Sequence, residues 1–187
     1  MTDEASSTLE RWLRDGTTAR EGLALFDALP PVSLAQMIGD WRGCELRTGH
    51  PLDGILEAAG WQGKHFHDPE TVDPLVFAHR AGQFRVNPAL LPLGLAARHP
   101  GLMRNPLLRR LSFAALPLMR TGRPRARLRM IEYRGVLSGA MQYDALPVND
   151  HFRRVGPDTL LGVMDLRGVD PPYLFALHRR VAGGRND

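Results

Sequence analysis

Residues 126–143, Ala126-Arg127-Leu128-Arg129-Met130-Ile131-Glu132-Tyr133-Arg134-Gly135-Val136-Leu137-Ser138-Gly139-Ala140-Met141-Gln142-Tyr143, read as two strands joined by the turn Arg134-Gly135. A two-residue hairpin turn fixes the register: Tyr133 faces Val136, Glu132 faces Leu137, Met130 faces Gly139, Leu128 faces Met141 and Ala126 faces Tyr143. With that pairing the large apolar residues fall on one face, and Glu132 joins them near the strand end. The other face carries Arg127, Arg129, Ile131, Tyr133, Ser138, Ala140 and Gln142, a mostly polar set suited to solvent or to the arginine-rich segment.

Extended segments continue downstream at 150–155, 159–166 and 173–180, separated by Gly156-Pro157-Asp158 and the turn residues 168–172. Upstream, 39–47, 61–67, 75–79 and 83–87 also read as strands, the last two flanking a turn at Arg80-Ala81-Gly82. Apolar residues at helical spacing mark helices at 6–15, from Thr17 or Thr18 to Leu29, at 33–38 and at 53–59. About nine strands without a βαβ rhythm predict a mainly β, α+β chain whose antiparallel sheet closes into a barrel. Length fits one compact domain, 1–187, with sub-regions at 20–80, 88–124 and 125–181. In 88–124, prolines at 88, 92, 100, 106, 117 and 124 break up apolar helical pieces, which predicts a helical insertion placed as a lid.

Composition is that of a globular protein, 43% hydrophobic and 24% charged, which excludes disordered, collagenous and disulfide-scaffold classes. The net charge of +4 hides a polarity. Residues 98–134 hold ten arginines against the single acid Glu132, a net +9, so the remainder carries −5. Of 24 basic residues only Lys64 is a lysine. Cys44 is a lone cysteine read as a small core residue, and the first residues lack the basic and apolar runs of a signal peptide. A cytoplasmic protein, in peripheral contact with the inner membrane face, is expected.

Gly39-Asp40-Trp41-Arg42-Gly43 resembles the signature of the bacterial GXWXG protein family. Residues 129–135, 140–144 and 147–153 are similar to the C-terminal partner of that family, the domain of unknown function 4334. A G-x-W start also resembles the first strand of calycin barrels, the lipocalins, fatty-acid-binding proteins and nitrobindins. That resemblance implies a structural Trp41 packed on Arg179 or Arg180 and an apolar ligand such as a fatty acid, a retinoid or haem.

The expected ligand is an amphipathic lipid, a phospholipid or fatty acid. Its chains would lie against Leu128, Met130, Leu137, Met141, Met164, Phe175 and Leu177, with Glu132 and Tyr143 beside them. Its phosphate would meet Arg123, Arg125, Arg127 and Arg129 at the mouth. A nitrobindin-like haem site would need His178 to point inward, whereas strand parity with Phe175 and Leu177 turns it out. No cofactor or metal is expected, although His65 and His67, two apart on one strand, could ligate a metal with Asp68 or His79. The chain contains no G-x-S-x-G, Walker or dinucleotide motif. An enzyme would have to draw on Glu132, Tyr133, Tyr143, Asp144, Asp150 and Asp165 in the barrel mouth.

In 98–131 the only aromatic is Phe113, so the stacking residues of a nucleic-acid binder are missing and no nucleic-acid partner is expected. Arginines interleaved with leucines fit an interfacial helix at an anionic membrane. A homodimer formed through the insertion is the competing partner.

Overall fold

The computed structural model describes residues 2–79, 82–91, 99, 101 and 105–180. Two helices come first: α1 (Thr2–Asp15) and α2 (Ala19–Ala28). Thr18 caps α2 in a reciprocal box with Glu21, and Ser33 does the same with Gln36 for the single turn α3 (Leu34–Met37). Each such cap satisfies otherwise orphaned amides and contributes about 1 kcal/mol. Then follow β1 (Gly39–Glu45), α4 (Ile55–Ala58), β2 (Trp61–Asp68), β3 (Thr71–His79) and β4 (Gly82–Arg85). After a 3-10 turn at Pro88–Leu90, α5 (Pro106–Ala115) starts from the Asn105 cap and runs into a second 3-10 turn, Leu116–Met119. The meander β5 (Ala126–Tyr133), β6 (Val136–Tyr143), β7 (Val148–Gly156), β8 (Thr159–Leu166) and β9 (Tyr173–Arg179) completes the chain.

The sheet is antiparallel, in the order β2-β1-β9-β8-β7-β6-β5-β3-β4, and a further β2–β3 pairing closes eight of its strands into a barrel, with β4 as an outer flap on β3. Closure is narrowest between β3 and β5, which share the one pair Val72–Ala126. The β5–β6 hairpin has the register expected from sequence at every pair from Ala126–Tyr143 to Tyr133–Val136. Arg134 and Gly135 both take positive φ, 52° and 76°, as a two-residue turn of this hand requires. Of the expected turn at 80–82, Arg80 and Ala81 lie outside the described residues, but His79 and Gly82 are paired across it.

The barrel has two apolar layers. Its interior packs Trp41, Trp61, Phe66, Phe77, Leu128, Met141, Phe152, Phe175 and Leu177. A second core lies outside the sheet, where Leu161, Val163, Leu174 and Ala176 meet Leu9 and Phe26 of α1 and α2. That layer corrects the reading of the second hairpin face as solvent-facing. Ser138 and Ala140 are buried, and the Ser138 hydroxyl accepts from Val32 N (3.0 Å) and donates to Phe152 O (2.7 Å). Tyr133 stacks on His151 at 3.9 Å and meets Phe26 edge-on. Wholly buried Arg153 lies 4.6 Å over Phe26 and donates to the Tyr133 carbonyl, 3.0 Å away.

The G-x-W-x-G stretch closes one barrel end. Trp41 Nε1 donates to Met37 O, and the Arg179 guanidinium sits 4.2 Å over the indole while donating to Ile38 O and Gln36 O. The expected pairing of Trp41 with a terminal arginine is therefore present, through Arg179. Gly39 has φ 137°, and a Cβ there would lie 2.6 Å from the same guanidinium. At Gly43 a Cβ would lie 2.2 Å from the Trp61 ring. The motif is thus one tryptophan flanked by two clearances, one for Arg179 and one for Trp61.

The insertion is anchored where Val86 bridges Arg120 and Asn87 N donates to Met119 O. Leu116 is buried, and Phe113 and Met119 rest on the barrel core, but no residue of α5 itself is buried. Arg98 and Arg104 of the basic block lie outside the described residues.

Candidate functional site

At the barrel end away from the Arg134-Gly135 turn, a cavity of about 40 Å³ is lined by Leu52, Ile55, Leu56, Trp61, Lys64, Leu75, Tyr143, Asp150, Met164, Tyr173 and Phe175. Leu52, Ile55 and Leu56 belong to the α4 segment, which covers this end. Among the described residues nothing from 88–124 lines the cavity, whereas the α4 segment does. The α4 segment is held by two carboxylates: Leu56 N donates to Glu45 Oε1 at 3.0 Å and Glu45 N donates to Glu57 Oε1 at 3.1 Å.

The wall is apolar except at one cluster. Lys64, on β2, points inward beside Phe66 and is only 2% exposed. Its Nζ lies 2.8 Å from Asp150 Oδ2, donates to Pro74 O at 3.2 Å, and sits 5.1 Å from the Phe175 centroid and 5.7 Å from those of Trp61 and Tyr143. The Tyr143 hydroxyl reaches both Lys64 Nζ (3.4 Å) and Asp150 Oδ2 (3.5 Å). Burial pushes the Asp150 carboxyl up against the opposing pull of Lys64, and burial beside Asp150 holds the Tyr143 phenol far above its ordinary range. Two polar atoms of the lining residues lack a protein partner, Asp150 Oδ1 and Trp61 Nε1. Buried polar groups normally find one, so the cluster is poised to receive a donor and an acceptor.

A second buried carboxyl flanks the cavity. Glu45 Oε1 accepts from the Tyr173 hydroxyl at 2.5 Å, and burial raises both groups. His50, edge-on to Tyr173, is lowered by burial. Glu45, His50 and Lys64 were not among the expected ligand contacts. The one sequence signal was the solitary lysine.

Of the expected contacts, Tyr143, Met164 and Phe175 line the cavity, while Leu128, Met141 and Leu177 pack in the barrel core below it. Met130 and Leu137 are exposed, Leu137 by 57%, and so is Glu132. They are corrected on two grounds: they sit toward the Arg134-Gly135 turn, at the far end from the cavity, and the interior there is filled by α3, whose Met37 packs over Gly139. The four arginines do not reach the cavity either. Arg127 pairs with Asp144 and Arg129 with Glu70, Arg125 bonds Thr121, and Arg123 is exposed. Odd-numbered β5 residues face outward, since Ala126 and Leu128 face in.

Among the acids and tyrosines considered for acid/base work, Tyr143 and Asp150 come together, whereas Glu132 and Asp144 are exposed and Tyr133 lies outside the barrel. His178 faces out, as parity required, and shares a hydrogen bond with Thr159 at 3.3 Å. His65 and His67 stack at 3.8 Å on the outer face, and their third neighbour is Asp73, not Asp68 or His79. Asp73 already pairs with His67 at 2.8 Å and Arg85 at 3.3 Å.

No curated protein matches this chain. A crystal structure of a protein from Thermomonospora curvata is similar, with 29% identity and a TM-score of 0.69 over 95% of this chain and 99% of that one. Residues 24–82 match the family model described as GXWXG protein, and residues 124–179 match the one described as domain of unknown function DUF4334. The first match carries Trp41 and Lys64 and the second carries Tyr143 and Asp150, so the two matched regions contribute to one barrel and the polar cluster forms where they meet.

Proposed function

We propose that the barrel binds a single-chain amphipathic lipid of the fatty-acid or fatty-alcohol kind, tail against Leu75, Met164 and Phe175, polar end at Lys64, Asp150 and Tyr143. The observation that carries this reading is the buried Lys64–Asp150–Tyr143 cluster, with partnerless Asp150 Oδ1 and Trp61 Nε1, set in an otherwise apolar wall. A hydroxyl or protonated carboxyl offers both the donor that Asp150 lacks and the acceptor that Trp61 lacks. With Arg125, Arg127 and Arg129 bonded outside the barrel and Arg123 exposed, a single-chain polar end fits better than a phosphodiester.

The cavity, at about 40 Å³, accommodates a water-sized group, whereas ligand pockets run to roughly 300 Å³ or more. Binding therefore displaces the α4 cover, whose two carboxylate latches are the only polar ties seen among the described residues between its backbone region and β1. Titration of delipidated protein with decanol, decanoate and palmitate, followed by tryptophan emission, tests the reading. A saturable change that disappears in Trp61→Phe is expected. Absence of saturation, with no lipid retained in native mass spectra, overturns it.

Among the described residues no helix is long and apolar enough to cross a membrane. The described part of the insertion nevertheless presents Leu107 (65% exposed), Leu111 (59%) and Leu118 (87%) among arginines, with no acidic residue from 98 to 131. We propose that this surface rests on an anionic bilayer, where each engaged arginine contributes roughly 1 kcal/mol. Cosedimentation with phosphatidylglycerol vesicles should fall at least fivefold in Leu107→Ser/Leu111→Ser and in Arg109→Gln/Arg110→Gln. Unchanged cosedimentation, or a self-associating protein that the same substitutions make monomeric, overturns the bilayer as the occupant.

A further inference from the structure

Lys64 poses a question that ligand binding alone does not answer. This chain makes its cations almost entirely of arginine, and where it needs a wholly buried one for packing it uses Arg153, stacked over Phe26 and bonded to carbonyls. Only inside the cavity does it place a lysine. An ammonium differs from a guanidinium in that it can lose its proton and act as a nucleophile. Lys64 also has what such a role needs: a carboxylate at 2.8 Å, a phenol at 3.4 Å and an apolar surround that keeps bulk water away.

We propose that Lys64 is a covalent capture site for apolar aldehydes, which it binds as a protonated imine. The inference rests on the ligand reading above and adds a chemical class to it. The Lys64 ammonium passes a proton to Asp150, and the neutral amine attacks the carbonyl carbon, forming the C–N bond as the carbonyl π pair moves to oxygen. Asp150 returns its proton to that oxygen, takes one from the nitrogen, and delivers it to the hydroxyl, which leaves as water while the nitrogen lone pair forms C=N. The sum is one aldehyde and one ammonium giving one protonated imine and one water, with no oxidant or reductant. Asp150 ends ionised beside the iminium, and the rings of Trp61, Tyr143 and Phe175 that surround the ammonium surround the new cation equally.

A single lysine makes the test clean, because the only other amine in the chain is the terminal one. The full-length protein is incubated with decanal and sodium cyanoborohydride and mapped by peptide mass spectrometry. A reduced decyl adduct on Lys64 is expected, absent in Lys64→Arg, formed at least tenfold more slowly in Asp150→Asn, and suppressed in the wild type by excess decanol. Should Lys64→Arg fail to fold, protection of wild-type Lys64 by decanol decides the matter. An adduct confined to the terminal amine, or one on Lys64 that decanol does not suppress, overturns the proposal. If decanol and decanoate still perturb Trp61 in that case, the ligand reading stands and only the covalent step falls; if they do not, both fall.

Discussion

At the level of single residues, the two glycines of the G-x-W-x-G stretch act by what they leave empty. Gly43 makes room for Trp61, which in turn forms the cavity wall. Gly43→Ala should therefore shift Trp61, change tryptophan emission and lower stability by about 1–3 kcal/mol, read by urea unfolding. The Lys64–Asp150 pair gives a sharper expectation. Removing one partner leaves a buried charge alone, so Lys64→Met should cost about 3–5 kcal/mol, whereas Lys64→Met/Asp150→Leu should cost distinctly less. Denaturation midpoints of the two single variants and the double variant check this. A double variant as unstable as the sum of the singles would mean that the pair is not coupled. Lys64 was conspicuous in the sequence as the only lysine, but nothing near it in the chain pointed to Asp150, 86 positions away and across the barrel.

At the level of elements, the β5–β6 hairpin was readable to the exact register because strand periodicity and a two-residue turn leave no freedom. What lies against each face was not readable. The apolar face continues past the cavity, where α3 fills the space, so Met130 and Leu137 end exposed despite correct phase. The second face, polar in composition, is partly buried because α2 brings Phe26 and the Asp27 carboxylate to it, the latter pairing with Arg134 at 2.6 Å. Among the described helices, α4 is the one whose segment lines the cavity. Glu57→Ala, which removes one latch, should speed hydrogen exchange at 54–59 and raise ligand on-rates severalfold, with global stability changed by less than about 0.5 kcal/mol. Exchange rates equal to wild type would mean that α4 does not open through this latch.

For the molecule as a whole, the two-layer packing sets a pH response. His151 is sandwiched between Tyr133 and the barrel wall near Arg153, and burial lowers its pKa from 6.5 to about 4. Between these values the unfolded chain holds a proton that the native state does not, so stability rises with pH across about 4 to 6.5 and is lost on acidification through that window. The gap corresponds to at most about 3.4 kcal/mol. His151→Phe, which keeps the stack on Tyr133, should flatten the difference in unfolding free energy between pH 4.5 and 6.5; an unchanged slope would assign the response to other groups.

The sequence by itself determined the strands, the hairpin register, the closing tryptophan with its terminal arginine, and the outward turn of His178. The strands, the register and the turn of His178 follow from local periodicity and turn chemistry, and the tryptophan–arginine pairing from the resemblance of the G-x-W start to calycin barrels; side-chain phase along a strand is fixed as soon as one residue's direction is known. Tertiary structure alone decided which inward residues meet at a cavity and which meet a plug, which outward arginines find carboxylates, and that the α4 segment lines the cavity. These depend on the curvature of a closed sheet, which brings β2, β6 and β7 to one point and sends the two ends of each strand into different surroundings, a fact that no spacing within a strand encodes.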